Sequence, residues 1–259
     1  MQMPVNAFKQ ALRGGAPQIG LWLGMADATA AEMLAGAGFD WLLIDAEHSP
    51  NDPRSVLAQL QAVAPYPVHP VVRPVRGAAE LIKQYLDIGA QSLLVPMIET
   101  PEEAALVVAA TRYPTRGIRG VASATTRASR WSGIDQYFQR SDAEMCVLVQ
   151  VESVKGLENL RGIAAVDGVD GVFFGPADLA ASMGLIGKPM DPKVRTAIAE
   201  GIAIVKSEGK AAGTLTGDTK LAREYLALGA LFVAVGVDMM LLAKAASDLA
   251  RAFKGAGGA

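Results

Sequence analysis

The sequence predicts an α/β fold, a (β/α)8 barrel of the TIM type. Three observations carry the prediction: eight short apolar runs, helical periodicity between them, and a helix–glycine–strand grammar that recurs four times in 259 residues without a break in composition. Ile19 to Gly24 is the first run, and "DATAAEMLAGAG" after it has helical spacing ending in glycine. The second closes "AGAGFDWLLID" from Ala35; the third, Val68 to Arg73, leads into the helical "GAAELIKQYLDIG". The fourth lies in "LDIGAQSLLVPMIE" from Leu86 and is followed by "TPEEAALVVAATR". Cys146 to Glu152 is the fifth, and "VDGVDGVFFGPAD" from Val166 contains the sixth. After the helical "KVRTAIAEGIAIVKSEG" come Ala211 to Thr216, the helical "TKLAREYLALG", and an eighth run in "LALGALFVAVGVD" from Leu226. Strands that alternate with helices run parallel, and continuously apolar strands are buried on both faces. A doubly wound open sheet is the rival. The number of units and the lack of a dinucleotide glycine fingerprint favour the barrel.

Composition bounds the rest. With 51% hydrophobic residues and no Pro/Gly/Ser-rich linker, residues 1–259 read as one barrel domain. The net charge of −2, with dispersed Lys and Arg, offers no basic stripe for nucleic acid. A single cysteine, Cys146, excludes an internal disulfide framework and suits a reducing cytoplasm. Neither a secretory h-region nor an apolar run of membrane-spanning length is present, so no membrane association is expected. The closing "KGAGGA" reads as a short frayed tail. One connection is long: between Tyr113 and Cys146 runs "PTRGIRGVASATTRASRWSGIDQYFQRSDAEM", with four Arg before Trp131, which reads as a lid or an oligomer contact.

In such a barrel the chemistry sits where strands end. The second strand ends in Asp45, Glu47 and His48, the third in Arg73, the fifth in Gln150 and Glu152, and the sixth runs through "GVFFGPAD" into Asp178. A lone carboxylate here usually caps a helix or meets solvent. Glu152 and Asp178 together, without matching Cys or His, suit a hard divalent cation that keeps several waters: magnesium, manganese or cobalt rather than zinc. His69, between prolines at a strand start, reads as structural. His48 stands beside two carboxylates, and Asp45 is the candidate to orient its imidazole. Arg73 either pairs with Glu47 or stabilises an enolate or carboxylate oxygen. Gly175 lets backbone approach a ligand, and the amides after it can receive a carboxylate. A metal, a base and an arginine fit the making or breaking of a carbon–carbon bond beside a 2-oxoacid. A Schiff-base route needs a lysine facing the barrel interior, and none of the eight runs contains one.

These motifs, "QIGLWLG", "AGAGFDWLLIDAEH", "HPVVRP", "LLVPMIE", "GIRGVASATTRASRW", "VLVQVE", "GVFFGPADL" and "LGALFVAVGVD", resemble the HpcH/HpaI-type class II (metal-dependent) pyruvate aldolases over nearly the whole chain. The resemblance implies Glu152 and Asp178 as metal ligands, His48 as acid/base and Arg73 as enolate stabiliser. It further implies that Gln150 and the Ala177 amide bind substrate, that Asp87 modulates the histidine, and that Trp22 and Leu215 line the aldehyde side. Asp87 ends a helix away from the catalytic rim, so its role needs a neighbouring subunit or an indirect coupling. Ala46 stands where glycine is common, and Ser49 where alanine often follows the histidine. The family's homohexamer, with its exchanged C-terminal helix, leads us to expect "MMLLAKAASDLARAFKG" on a partner. The expected reaction is reversible aldol cleavage of 4-hydroxy-2-oxoacids to pyruvate, or hydroxypyruvate, and an aldehyde. A malyl- or citramalyl-CoA-type lyase and a non-catalytic metabolite-binding barrel are the alternatives.

Overall fold

Gly38, Gly89, Gly168 and Gly229 adopt φ values of 92°, 105°, 90° and 105°. That left-handed region is open to glycine at little steric cost, and each of the four turns the chain from a helix into the strand that follows. They are the glycines of the recurring grammar, and they serve alternate strands. The computed structural model describes residues 1–254; the last five residues of the expected domain, most of the Gly/Ala-rich tail, lie outside the described residues.

Eight parallel strands close into a ring in sequence order. They are β1 (Gln18–Leu23), β2 (Trp41–Asp45), β3 (His69–Arg73), β4 (Ser92–Val95), β5 (Cys146–Val151), β6 (Gly171–Phe174), β7 (Ala211–Leu215) and β8 (Phe232–Val237). Helix α1 (Ala7–Arg13) precedes the ring; α2 (Ala28–Ala35), α3 (Pro53–Ala62), α4 (Ala79–Asp87) and α5 (Pro101–Thr111) follow the first four strands. In the long connection lies α6 (Tyr137–Glu144), and α7 (Val154–Glu158) and α8 (Leu160–Ala165) share the crossover after β5. The remaining helices are α9 (Pro176–Ser182), α10 (Pro192–Ser207), α11 (Thr219–Leu228) and α12 (Asp238–Lys254). The expected barrel is therefore the observed one, with strand ends displaced by one residue: Glu152 and Thr216 fall just beyond β5 and β7. No described helix is long and apolar enough to cross a membrane.

Period two along each strand decides what faces the axis. Trp41 and Leu43, Val71, Leu94, Cys146 and Leu148, Phe173 and Phe232 form the inner cluster, while Leu42, Ile44, Val72 and Val147 pack outward against the helices. Two glycines admit the largest inner rings. A Cβ on Gly20 would lie 2.2 Å from the Trp41 ring, and one on Gly213 would lie 2.4 Å from that of Phe232. Continuing the parity upward puts Asp45 above Leu43, Arg73 above Val71 and Gln150 above Leu148, so three polar side chains top an otherwise apolar interior.

The opposite end is plugged by α1. Asn6 caps that helix through the Lys9 amide, and Phe8 enters the barrel to stack on His69 with centroids 5.5 Å apart and to meet the Phe232 ring at 6.2 Å. Asn6 Nδ2 donates to Ser92 Oγ at 3.0 Å, and the same oxygen hydrogen-bonds His69 Nε2 at 3.0 Å. His69 is thus a structural residue, as expected. Burial pushes its imidazole down from 6.5 to about 4. The unfolded chain then takes the proton first, so this contribution is complete above pH 6.5 and drains away as the pH falls toward 4. Urea midpoints measured at pH 7.5 and at about pH 4.5 should differ more for the native chain than for His69→Phe, which keeps the stack and cannot titrate.

Candidate active site

The rim above the inner cluster is organised by one ion pair. Asp45 and Arg73 are register partners at the ends of β2 and β3. Arg73 Nε donates to Asp45 Oδ1 at 2.9 Å and its Nη2 to Asp45 Oδ2 at 2.7 Å, a two-pronged bond between buried side chains. Trp22 Nε1 donates to the same carboxylate at 3.2 Å, and the guanidinium carbon lies 4.8 Å from the Trp22 ring centroid. Burial pushes the Asp45 carboxyl up; the Arg73 bonds and charge, the Glu47 amide and the Trp22 indole outweigh it and hold the group below its ordinary value. Arg73 Nη1 also sits 2.7 Å from Glu47 Oε2, at an angle that leaves this oxygen without a hydrogen bond.

Two more strands complete the rim. Glu152 follows β5, with Oε1 accepting the Met97 amide at 3.0 Å and Oε2 accepting Gln150 Nε2. Gly175, at the start of α9, is required by this packing, because a Cβ there would lie 2.2 Å from Glu152 Oε2. Burial pushes the Glu152 carboxyl up to about 7 against those two bonds, and the charges of Asp178 and Glu47 add to the rise. Gln150 Oε1 is buried and accepts nothing. Asp178 lies in the first turn of α9 and is solvent-exposed, one turn further out than a strand-end reading places it. The Ala177 amide precedes it in that turn, where no helical carbonyl is available to pair with it. A cavity of about 290 Å³ joins these groups, with Trp22, Phe173, Leu215 and Val237 as its apolar wall and His48 and Ser49 at its edge.

Of the sequence-predicted residues, then, Asp45, Arg73, Gln150, Gly175, Ala177, Asp178, Trp22, Leu215 and His48 line one cavity, and Glu152 packs directly behind Gln150 and Gly175. Asp87 stands apart. It ends α4 at the rim where β4 begins, and its Oδ1 accepts Arg119 Nη2 at 2.9 Å. Asp45 does not orient the His48 imidazole either: its carboxylate faces the axis, and its only bond to that residue is from the backbone amide at 3.4 Å. The carboxylate nearest the ring is Glu47, 3.8 Å from Nε2, with His48 largely exposed.

Asp238 was missed. Its buried carboxylate accepts the amides of Gly24 and Met25 at 2.8 and 3.1 Å, tying the start of α12 to the loop after β1. An acid closing the eighth run, "VAVGVD", was a legible signal of the kind that pointed to Asp45 and Glu152. Met97 was also missed; its left-handed φ of 55°, which aims the amide at Glu152, leaves no trace in sequence.

Residues 18–245 match the family described as HpcH/HpaI aldolase/citrate lyase. The chain belongs to that family. Among curated HpcH/HpaI relatives, a hydroxypyruvate/pyruvate aldolase from Deinococcus radiodurans is 64% identical over 249 residues, covering 96% of this chain and 90% of the relative. A 4-hydroxy-2-oxo-heptane-1,7-dioate aldolase from Salmonella paratyphi B is 58% identical over 96% of this chain and 94% of its own. An HpcH/HpaI family crystal structure from Burkholderia cenocepacia superposes with a TM-score of 0.92 at 44% identity, over 95% of this chain and 98% of that one.

Asp45→Ala removes the two-pronged acceptor of a buried guanidinium and leaves it only Glu47, 2.7 Å from Nη1. Losing one partner of a buried pair costs about 3–5 kcal/mol, so the urea midpoint should fall and activity with it. Asp45→Asn, which keeps an acceptor, should recover more of the stability than of the turnover.

Proposed function

We propose that this chain catalyses the reversible aldol cleavage of 4-hydroxy-2-oxoacids to pyruvate, or hydroxypyruvate, and an aldehyde. The observation that carries the reading is Arg73 held rigid at the mouth of a cavity whose opposite side holds carboxylates with no cation of their own. The names of the relatives support the same reaction.

The residues present fit a divalent metal. Glu152 is buried and pushed up to about 7, a cost that a bound cation removes, and Gln150 Oε1 is an unused buried acceptor beside it. Among the described residues no three Asp, Glu, His or Cys converge on one point; a pair of carboxylates completed by water and substrate is what magnesium, manganese or cobalt accepts. Glu152 and Asp178 would hold one such cation, which would supply Lewis acidity to the bound 2-oxoacid.

The chain's own groups do the rest. The Ala177 amide and Gln150 receive the substrate carboxylate side, and Gly175 lets it approach the backbone. His48 takes the proton of the C4 hydroxyl, directly or through water; the C3–C4 bond breaks, the aldehyde leaves, and the electron pair forms the enolate of the 2-oxoacid. Arg73, unable to turn away from Asp45, faces the enolate oxygen with fixed positive charge. Return of that proton to C3 frees His48 and completes the cycle, and the reverse sequence adds an aldehyde. Trp22 and Leu215 offer the aldehyde apolar contact, which discriminates weakly among chain lengths.

We further propose a homohexamer with α12 exchanged between subunits. From Met239 onward that helix is exposed, and Leu242, Leu249 and Phe253, at spacings of seven and four, form an apolar stripe that a lone chain leaves in water. Such an assembly is also the setting in which a neighbour's Asp87 can reach His48.

Two measurements test these readings. Pyruvate release from a 4-hydroxy-2-oxoacid should vanish in excess EDTA and return with manganese, cobalt or magnesium, and His48→Ala and Arg73→Ala should each lower kcat by about 10²–10³-fold; undiminished activity in EDTA refutes the metal. In sedimentation velocity, Leu242→Glu with Leu249→Glu should convert the assembly to smaller species, whereas an unaltered profile excludes α12 from the interface.

A further inference from the structure

A cavity larger than the catalytic one lies elsewhere in the molecule. About 740 Å³ opens at the other end of the barrel, where α1, the end of α5, α6 and the approaches to β6 and β7 meet. Its volume is in the range that small-molecule sites occupy. Five cationic side chains line it, those of Lys9, Arg13, Arg112, Arg116 and Lys210, against the three carboxylates of Asp142, Asp167 and Asp170.

The pairings leave a surplus in a definite place. Lys9 and Arg13 share the single carboxylate of Asp170, each at 3.4 Å. Arg116 neutralises the buried Asp142 at 2.7 Å. Asp167 is exposed. Arg112 and Lys210 have no carboxylate within 4.0 Å among the described residues and give their protons only to backbone carbonyls, Arg112 to Asp142 and Lys210 to Val169 at 2.7 Å and Val166 at 3.5 Å. Both are half-buried. Two half-buried cations outside any ion pair, in a cavity where five cationic side chains face three carboxylates and in a chain whose net charge is −2, make a local field opposite in sign to that of the whole molecule.

We propose that this cavity binds a small dianion through Arg112 and Lys210. The chemistry is that of a phosphate monoester or a dicarboxylate, either of which matches the surplus of two charges and accepts the donors those side chains present. Because Arg112 follows α5 and Lys210 leads into β7, the ligand joins the inserted segment to the barrel floor, remote from the catalytic rim, and stabilises the fold by binding the native state alone.

The test uses the intact enzyme, with inorganic phosphate and succinate as probes in isothermal titration and thermal denaturation. Saturable binding of at least one probe with a raised Tm is expected, and which probe binds separates the two sources. Binding should weaken about tenfold for each cation removed in Arg112→Gln and Lys210→Gln, and survive in Arg112→Lys and in Arg73→Gln, which alters only the catalytic rim. Aldolase turnover in Lys210→Gln should match the unmodified chain, showing that the fold is intact even if Arg112→Gln does not accumulate. Absence of saturable binding of both probes overturns the proposal, as does affinity unchanged in Lys210→Gln and Arg112→Gln, or lost in Arg73→Gln.

Discussion

The ion pair between Asp45 and Arg73 is the constraint on which the catalytic end depends. Both side chains point to the barrel axis because they continue the parity of Leu43 and Val71, and the β2–β3 register sets them side by side. A buried pair seldom adds net stability, since desolvation cancels much of the attraction. What the pair does accomplish is aim. With Nε and Nη2 committed to Asp45 and the Trp22 ring alongside, the guanidinium has one orientation, and its remaining edge reaches Glu47. A charge that is preorganised in this way does not have to reorient as negative charge develops on a substrate.

Across the cavity the electrostatics are reversed. Glu152 is buried without a cation, and its two hydrogen bonds do not offset its desolvation. The rim therefore has one side where a guanidinium is over-supplied with carboxylate and another where carboxylate lacks a counter-charge. A polar, chelating anion such as a 2-oxoacid suits this division better than an apolar ligand does. At the far end of the barrel the imbalance has the other sign, around Arg112 and Lys210. Trp41, Leu43, Phe173 and Phe232 separate the two ends, with Gly20 and Gly213 yielding the room their rings need.

Much of this was legible in the chain. The four glycines of the repeated grammar announced the turns into alternate strands, and acids after apolar runs marked the catalytic rim, because an ionisable group persists at the end of a buried strand only where something pays its desolvation. Alternation could have foretold more: Asp45 and Arg73 share the inward parity of their strands, and Asp238 closes the eighth run as Asp45 closes the second. The role first given to Asp45 failed for a reason of geometry. Three residues along a chain that has left its strand no longer share a face, so His48 swings outward while Asp45 stays within.

The sequence by itself determined the barrel, the identity of its polar end and the family, since periodicity, glycine placement and local motifs are properties of neighbouring residues. Only the tertiary structure decided which charge meets which: that Asp45 holds Arg73, that the left-handed Met97 offers its amide to Glu152, that Asp87 pairs with Arg119, and that Arg112 and Lys210 face a common cavity. Those partners lie 28, 55, 32 and 98 residues apart. Their meeting depends on strand register and on how the helices pack around the ring, quantities that no local pattern encodes.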